Sequence, residues 1–285
     1  MKKQARAPVR IDFGGGTTDM NPFPGSKGVV LNAAINRYVK GSLAALQNST
    51  KLEYHADIPT SSGLGTSGVM NVVWLALTTK YIDKKKLAEL AHFIERDTGV
   101  VGGKQDQYAA VYGGINFMEF NDDKVKVTRL KIRKDVLKRL ESKLFLYYTG
   151  PRLSSKFNKK VFDNLKRKDK RTMDVIKKII VNTKAMRNAL QRGNLNVFAA
   201  LLNNEWMLRK QLHPKITTRK IDSIIEFGKK HGASAAKVTG AGGGGCILFL
   251  AENKKALMKK LERYEKFGKE VIDFKFDMKG VQIKK

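Results

Sequence analysis

The chain of 285 residues is 42% hydrophobic and carries 56 Lys and Arg against 26 Asp and Glu, a formal charge of +30. That length can bury a substantial core, as one large domain or two of ordinary size. A single cysteine, Cys246, excludes an intramolecular disulfide framework and a multi-cysteine zinc site, and the four histidines make no H-x-x-x-H pair.

In chain order the pattern is mixed α/β. Residues 5–13 alternate as a strand running into Gly14-Gly15-Gly16, and residues 28–46, rich in Val, Ile, Leu and Tyr, read as further strand. A strand over 51–56 is followed by the polar loop Ile58–Ser67 and an apolar helix to about Lys80. Leu87, Leu90, Ala91 and Ile94 recur at helical spacing and mark a second amphipathic helix, which Gly99–Gly103 breaks. Strands are expected near 114–120, 124–130 and 143–149. Past Gly150-Pro151 the pattern turns helical, over 156–166, 173–191, 194–211 and 219–231. The end reads strand, glycine loop, strand, helix and strand over 234–239, 240–245, 246–251, 253–266 and 269–276. The change near residue 150 predicts two domains, 1–152 and 153–285.

Three stretches carry chemistry. In Ile58–Ser67, Gly63 and Gly65 let the backbone approach a ligand, Ser61, Ser62, Thr66 and Ser67 supply hydroxyls, and the helix start behind them offers free N–H groups. Together they form an anion site suited to nucleotide phosphates, with an ordinary glycine- and serine-rich turn as the alternative. In Lys237–Cys246, Gly240, Gly242 and Gly245 satisfy G-x-G-x-x-G, but they lead into a strand and not a helix, which rules out a dinucleotide fingerprint. No G-x-x-x-x-G-K-[ST] occurs either. What remains is a glycine loop between strands that could pack against a ligand held elsewhere. In the third stretch Glu95 closes a helix and Asp106 follows past a glycine break, so two carboxylates could meet around one Mg²⁺ and one reacting hydroxyl. Taken singly, each acid reads as a solvated surface residue.

In this order the motifs resemble the GHMP kinase superfamily, which includes galactokinase, homoserine kinase, mevalonate kinase and phosphomevalonate kinase. Arg10–Asn21 looks like the galactokinase-type signature with its Thr-Asp pair, Pro59–Ser67 like the ATP-phosphate loop, and Lys237–Gly245 like the C-terminal glycine loop. Within the superfamily the chain most resembles the D-glycero-D-manno-heptose 7-phosphate kinases and related sugar-1-kinases, through Ala7–Arg10, Gln105–Ala110 and Tyr148–Arg152. The resemblance implies an α/β (α+β) fold: an N-terminal ribosomal-protein-S5-domain-2-like domain and a C-terminal ferredoxin-like domain, with the site between them. It also implies roles. Pro59, Ser61, Ser62, Gly63, Leu64, Gly65, Thr66, Ser67, Gly240, Gly242 and Gly243 would bind ATP, and Ser67 and Glu95 would hold Mg²⁺. Asp106 would face the substrate hydroxyl, with Arg10 stabilising that acid and the transferring phosphoryl group. Thr18, Asp19 and Gln105 would hold the sugar. Apart from the resemblance, Lys104 and Arg152 are basic side chains near the motifs and would suit a distal phosphate on it, with two more surface charges as the alternative. Gly16 stands where galactokinases carry a Glu that contacts the sugar, and Gly68 replaces a small hydroxyl residue or Ala.

The function expected is ATP- and Mg²⁺-dependent phosphorylation of a sugar or sugar phosphate at its anomeric hydroxyl. One alternative is a mevalonate-pathway-type kinase or decarboxylase, whose acceptor pocket should be poorer in hydroxyl-binding acids than Asp12, Asp19 and Asp57 suggest. Another is a non-catalytic polyanion-binding protein on the same fold. The charge favours the last, but the lysines are spread along the chain and the denser patches, 158–171 and 254–260, lack an aromatic stacking platform. Nucleic acid is therefore not expected as a partner. Met1–Pro8 lacks the apolar core of a signal peptide and no run of about 18 apolar residues occurs, so a cytoplasmic protein without membrane contact is expected. A homodimer is left open.

Overall fold

The computed structural model describes residues 2–20, 27–80, 83–122, 124–152, 156–263 and 270–284. Its first sheet is antiparallel. β1 (Lys2–Gly14) pairs with β2 (Lys27–Ala45), placing Arg10 opposite Ala34 and Asp12 opposite Asn32, and the register shifts as β1 enters its glycine turn. β2, with 19 residues, serves two further partners: its second half takes β3 (Thr50–Ala56) and its first half β4 (Ile115–Asn121), which pairs in turn with β5 (Lys124–Arg129). α1 (Thr66–Thr78) and α3 (Gln105–Tyr112) pack over β1 and β2, and α2 (Lys84–Asp97) packs on both helices. Val69, Val72, Val73 and Ala76 form the buried stripe of α1 at helical spacing.

α4 (Lys134–Lys143) leads into β6 (Leu144–Tyr148), which is buried at all five positions. The cause is its place inside a second antiparallel sheet covered on both faces. Leu144, Leu146 and Tyr148 join the core shared with the first sheet, while Phe145 and Tyr147 join a separate core. The chain continues through α5 (Lys156–Lys166), α6 (Lys170–Arg192), α7 (Leu195–Lys210), a short 3₁₀ turn at Pro214–Ile216 and α8 (Arg219–Lys230). β7 (Ala233–Val238), β8 (Cys246–Ala251), α9 (Lys254–Arg263), β9 (Val271–Ile272) and β10 (Gln282–Lys284) complete it. The second sheet is ordered β7-β8-β6-β9, whereas β10 returns to the first sheet and pairs with β1.

This is the expected mixed α/β, two-sheet architecture, with three elements the sequence pattern does not reveal. α3 has almost every residue buried, so it carries no amphipathic period. α4 buries only Val136 and Leu140 and reads as a run of charges. β10 is too short to register. The strand expected over 269–276 reduces to Val271–Ile272 and an isolated bridge between Ile35 and Phe276, and position 269 lies outside the described residues. The helix expected over 253–266 is seen to Arg263, and its last expected positions also lie outside them. The sheets do not part at residue 152: β6 precedes that point yet belongs to the second sheet, and β10 belongs to the first.

Candidate active site

Two backbone loops meet at the junction of the sheets. In the loop before α1, Gly65 has φ +81°, and a Cβ there would come within 2.8 Å of Asp106 Cγ. In the loop between β7 and β8, Gly240 has φ +69°, and its Cβ would lie 2.5 Å from Gly63 O. Neither position tolerates a side chain: at Gly65 the Asp106 side chain occupies the space, and at Gly240 the two loops touch backbone to backbone. The Cys246 N–H reinforces the contact by donating to Ser62 O at 2.8 Å. α1 starts without a side-chain cap and without an acid in its first turn, which leaves its positive end to an incoming anion. The Ser62 hydroxyl is fully buried with no partner among the described residues, a donor waiting for an acceptor.

Arg10 organises the next layer. Its Nε donates to Asp106 Oδ1 at 2.7 Å, its Nη1 to Gly63 O at 2.7 Å, and its backbone N–H to Leu64 O at 3.1 Å. One buried guanidinium thus binds an acid in the first turn of α3 to the loop before α1. Burial pulls the Arg10 pKa down, but Asp106, Asp12 and Asp19 outweigh that and leave it above the usual value. Glu95 comes from α2, where Leu87, Ala91 and Glu95, four residues apart, share the buried face. Leu90, expected on that stripe, is exposed instead. Glu95 accepts from the Gln107 amide and from the Ser67 hydroxyl. Burial and then the charge of Asp106 raise its pKa despite both bonds. Asp19, at the end of the β1 turn, accepts the Gln105 N–H at 3.1 Å. Burial, with a further contribution from Asp106, pushes it up to about 6 against that hydrogen bond.

These groups line one cavity of about 510 Å³. Its walls carry three guanidinium groups (Arg10, Arg152, Arg209) and three carboxylates (Asp19, Glu95, Asp106), with Met70, Val100 and Val101 as an apolar portion. The GHMP kinases N terminal domain family matches residues 32–114, which include the loop before α1, Glu95 and Asp106, and the GHMP kinases C terminal family matches residues 186–270, which include Arg209 and Gly240. The chain belongs to the GHMP kinases. It is 28% identical to the D-glycero-alpha-D-manno-heptose 7-phosphate kinase of Campylobacter jejuni, over 98% of each chain. A crystal structure of a D-glycero-D-manno-heptose 1-phosphate kinase from Bacteroides thetaiotaomicron superposes with a TM-score of 0.78 at 26% identity, covering 99% of both chains. Mevalonate kinase of Methanocaldococcus jannaschii is 28% identical over 75% of this chain and 66% of its own.

Against that GHMP kinase frame the expected site residues divide. Ser61, Ser62, Gly63, Gly65, Thr66, Ser67 and Gly240 line the cavity, as do Arg10, Asp19, Glu95, Gln105, Asp106 and Arg152. Others face elsewhere. Pro59 and Gly242 are absent from the lining, Leu64 is buried in the core, and Gly243 gives its N–H to Ile216 O. The Thr18 hydroxyl sits between Gly15 O and Val29 O, at 2.7 and 2.8 Å, and accepts the Val29 N–H, so it closes its own turn and does not reach a sugar. Lys104 pairs with Glu89 at 2.8 Å and is not part of the lining, which corrects its placement on a distal phosphate. Asp12 and Asp57 are no acceptor ligands either: Asp12 is held by Lys237, and Asp57 by Lys40. Asn21, the last residue of the first motif, lies outside the described residues.

Three participants escape a reading of the sequence. Gln107 orients Glu95, and a Cβ on Gly68 would stand 2.8 Å from its Nε2, so the departure at Gly68 is what admits this side chain. Lys237 is fully buried within β7, where its neighbours Ala235, Ala236 and Val238 suggest only a core strand. Arg209 carries no local signal at all: beside Lys210 in the last turn of α7, it reads as an ordinary basic residue at a helix C-terminus.

Proposed function

We propose that this GHMP kinase transfers the γ-phosphoryl group of ATP to the anomeric hydroxyl of a sugar that already bears a phosphate. The observation that carries the reading is the Arg10 bridge, which holds Asp106 beside the phosphate-type loop and at the cavity wall. In the reaction the acceptor oxygen bonds to the γ-phosphorus, the bond from that phosphorus to the bridging oxygen breaks, ADP leaves, and Asp106 takes the hydroxyl proton. Such transition states are loose, so positioned charges contribute more than covalent chemistry. Arg10 and the start of α1 supply those charges. Asp19 and Gln105, joined to each other at the cavity wall, suit a polyhydroxyl acceptor, and the buried Gln105 Oε1 lacks a partner among the described residues.

The donor set fits Mg²⁺. Ser67 and Glu95 offer a hydroxyl and a carboxylate, hard oxygen ligands, and would hold the ion. Two protein ligands suffice for an ion that completes its shell with nucleotide phosphates and water. When bound, the ion would neutralise charge on the β- and γ-phosphates.

The sugar class rests on the heptose-kinase names of the relatives matched over the whole chain, together with Asp19. The distal phosphate rests on Arg152, a cavity residue whose pKa burial and the nearby Arg10 lower, so that an anion would satisfy it. ADP release from MgATP tests the reading across three acceptors: D-glycero-D-manno-heptose 7-phosphate, the free heptose and mevalonate. The first should turn over best, and Arg152→Ala should raise its KM about tenfold or more while leaving KM for ATP unchanged. Equal efficiency on the free sugar would remove the distal phosphate, and turnover of mevalonate alone would overturn the sugar.

A further inference from the structure

A buried chain of charges, with Arg209 at the cavity wall, joins the two halves of the cavity. Asp12, on β1, accepts Lys237 Nζ on Oδ2 at 2.7 Å and the Gly240 N–H on Oδ1 at 2.6 Å, and Lys237 also donates to Asp12 O at 2.7 Å. Arg209, on α7, donates through Nη1 to Gly16 O at 2.7 Å and through Nη2 to Gly240 O at 3.0 Å. Both polar groups of the Gly240 peptide are therefore held by this network, and Gly240 in turn abuts Gly63 of the loop before α1. Glu205, one turn before Arg209 on the same helix, accepts the Gly15 N–H at 3.0 Å. The glycine turn after β1, which ends at Asp19, is thus attached at Gly15 and Gly16 to α7.

The arrangement is specific to a bridge. Gly16 leaves the room: a Cβ there would lie 2.8 Å from Arg209 Nη1. Arg209 Nε finds no partner among the described residues, so the guanidinium forgoes one bond while its two Nη groups span two carbonyls. A lysine could reach one of them but has no fork with which to hold both at once.

We propose that Arg209 is a positioning residue that couples the acceptor turn Gly14–Met20 to the nucleotide loops, so that nucleotide binding orders the acceptor side of the cavity. This rests on the nucleotide reading above. Binding at the phosphate loop presses on Gly240 through Gly63, Gly240 transmits to Arg209, and Arg209 fixes Gly16 with its neighbour Thr17 at the cavity wall. Hydrogen bonds join Gly240 to Arg209 and Arg209 to Gly16, a close backbone contact joins Gly63 to Gly240, and the same path run backwards lets an acceptor tighten the nucleotide site.

Hydrogen–deuterium exchange on the full chain, with and without Mg·AMP-PNP, tests the coupling without needing the acceptor. In the native protein the nucleotide should slow exchange in Ser61–Ser67 and, by about fivefold or more, in Gly14–Met20, the lower end of ordinary coupling between sites. In Arg209→Lys the first protection should persist and the second should fall. If that variant folds poorly, Arg209→Met with Glu205→Gln removes one charge of each sign and should give the same separation. Protection of Gly14–Met20 that survives in either folded variant overturns the proposal, as does its absence in the native protein while Ser61–Ser67 is protected. No protection of Ser61–Ser67 in the native protein would overturn the nucleotide reading, and the coupling with it.

Discussion

At Asp19 the protein keeps a buried carboxylate whose pKa is raised to about 6, chiefly by burial, although its ionised form is the better acceptor for sugar hydroxyls. The sign of the consequence is definite. With a folded pKa near 6 and an unfolded one near 3.8, the folded state binds the proton more tightly, so stability is greatest below the unfolded value and is lost as pH rises through the folded one. Asp19→Asn should therefore be more stable than the native chain at pH 8, by on the order of 2 kcal/mol, with the difference vanishing near pH 4 in paired thermal melts. The same variant should lose acceptor affinity, and in the native protein the acceptor KM should climb as pH falls through about 6. Asp106 calls for a different outcome. Asp106→Asn should bind nucleotide normally and lose about 10²-fold or more in kcat. Lys104, held by Glu89, marks the contrast: Lys104→Ala should leave acceptor KM alone and cost at most about 1 kcal/mol of stability. Its proximity in sequence to Asp106 made it look like a ligand. Only the tertiary position of Glu89, fifteen residues earlier, redirects it.

Among the elements, α2 and α3 decide how the carboxylates meet. Glu95 and Asp106 were legible as a pair because a helix end and a glycine break separate them. The inward aim of Glu95 follows from its place on the α2 stripe with Leu87 and Ala91, but the contact that fixes its carboxylate, Gln107 reaching across from α3, was not legible. Gly68 tests this link. In Gly68→Ala the new Cβ would crowd Gln107 Nε2 at 2.8 Å and Asp106 Cβ at 3.1 Å, displacing the group that holds Glu95. The concentration of Mg²⁺ needed for half-maximal activity should rise several-fold, while the fold is retained; an unchanged Mg²⁺ requirement would show that Gln107 does not orient Glu95. The β7–β8 loop is an antiparallel hairpin, as its strands suggest; Gly240, Gly242, Gly243, Gly244 and Gly245 all have the positive φ its turn requires, and Gly240 and Gly245 answer to the loop before α1 as well. That second demand arises from a chain segment far away in sequence, so local pattern exposes the glycines without revealing the contact.

Across the whole molecule, the three motifs specify the family and one wall each of the cavity, which is why they can be read in order along the chain. The joints between the walls cannot be read that way. β6 and β10 change sheets, and Arg209, Asp12 and Lys237 meet only once the two sheets are packed. The formal charge of +30 lies largely on solvated helix faces: Lys134, Lys138 and Arg139 on α4, Lys177, Lys178 and Lys184 on α6, and Lys255, Lys259 and Lys260 on α9 are exposed. No helix among the described residues is long and apolar enough to cross a membrane. Transfer to the anomeric oxygen is open to phosphorus NMR of the product of MgATP and D-glycero-D-manno-heptose 7-phosphate. One new sugar-phosphate signal coupled to the anomeric proton should grow in step with the signals of ADP. A new phosphate on any other hydroxyl, or ADP formed with no phosphorylated sugar at all, would contradict transfer to the anomeric oxygen.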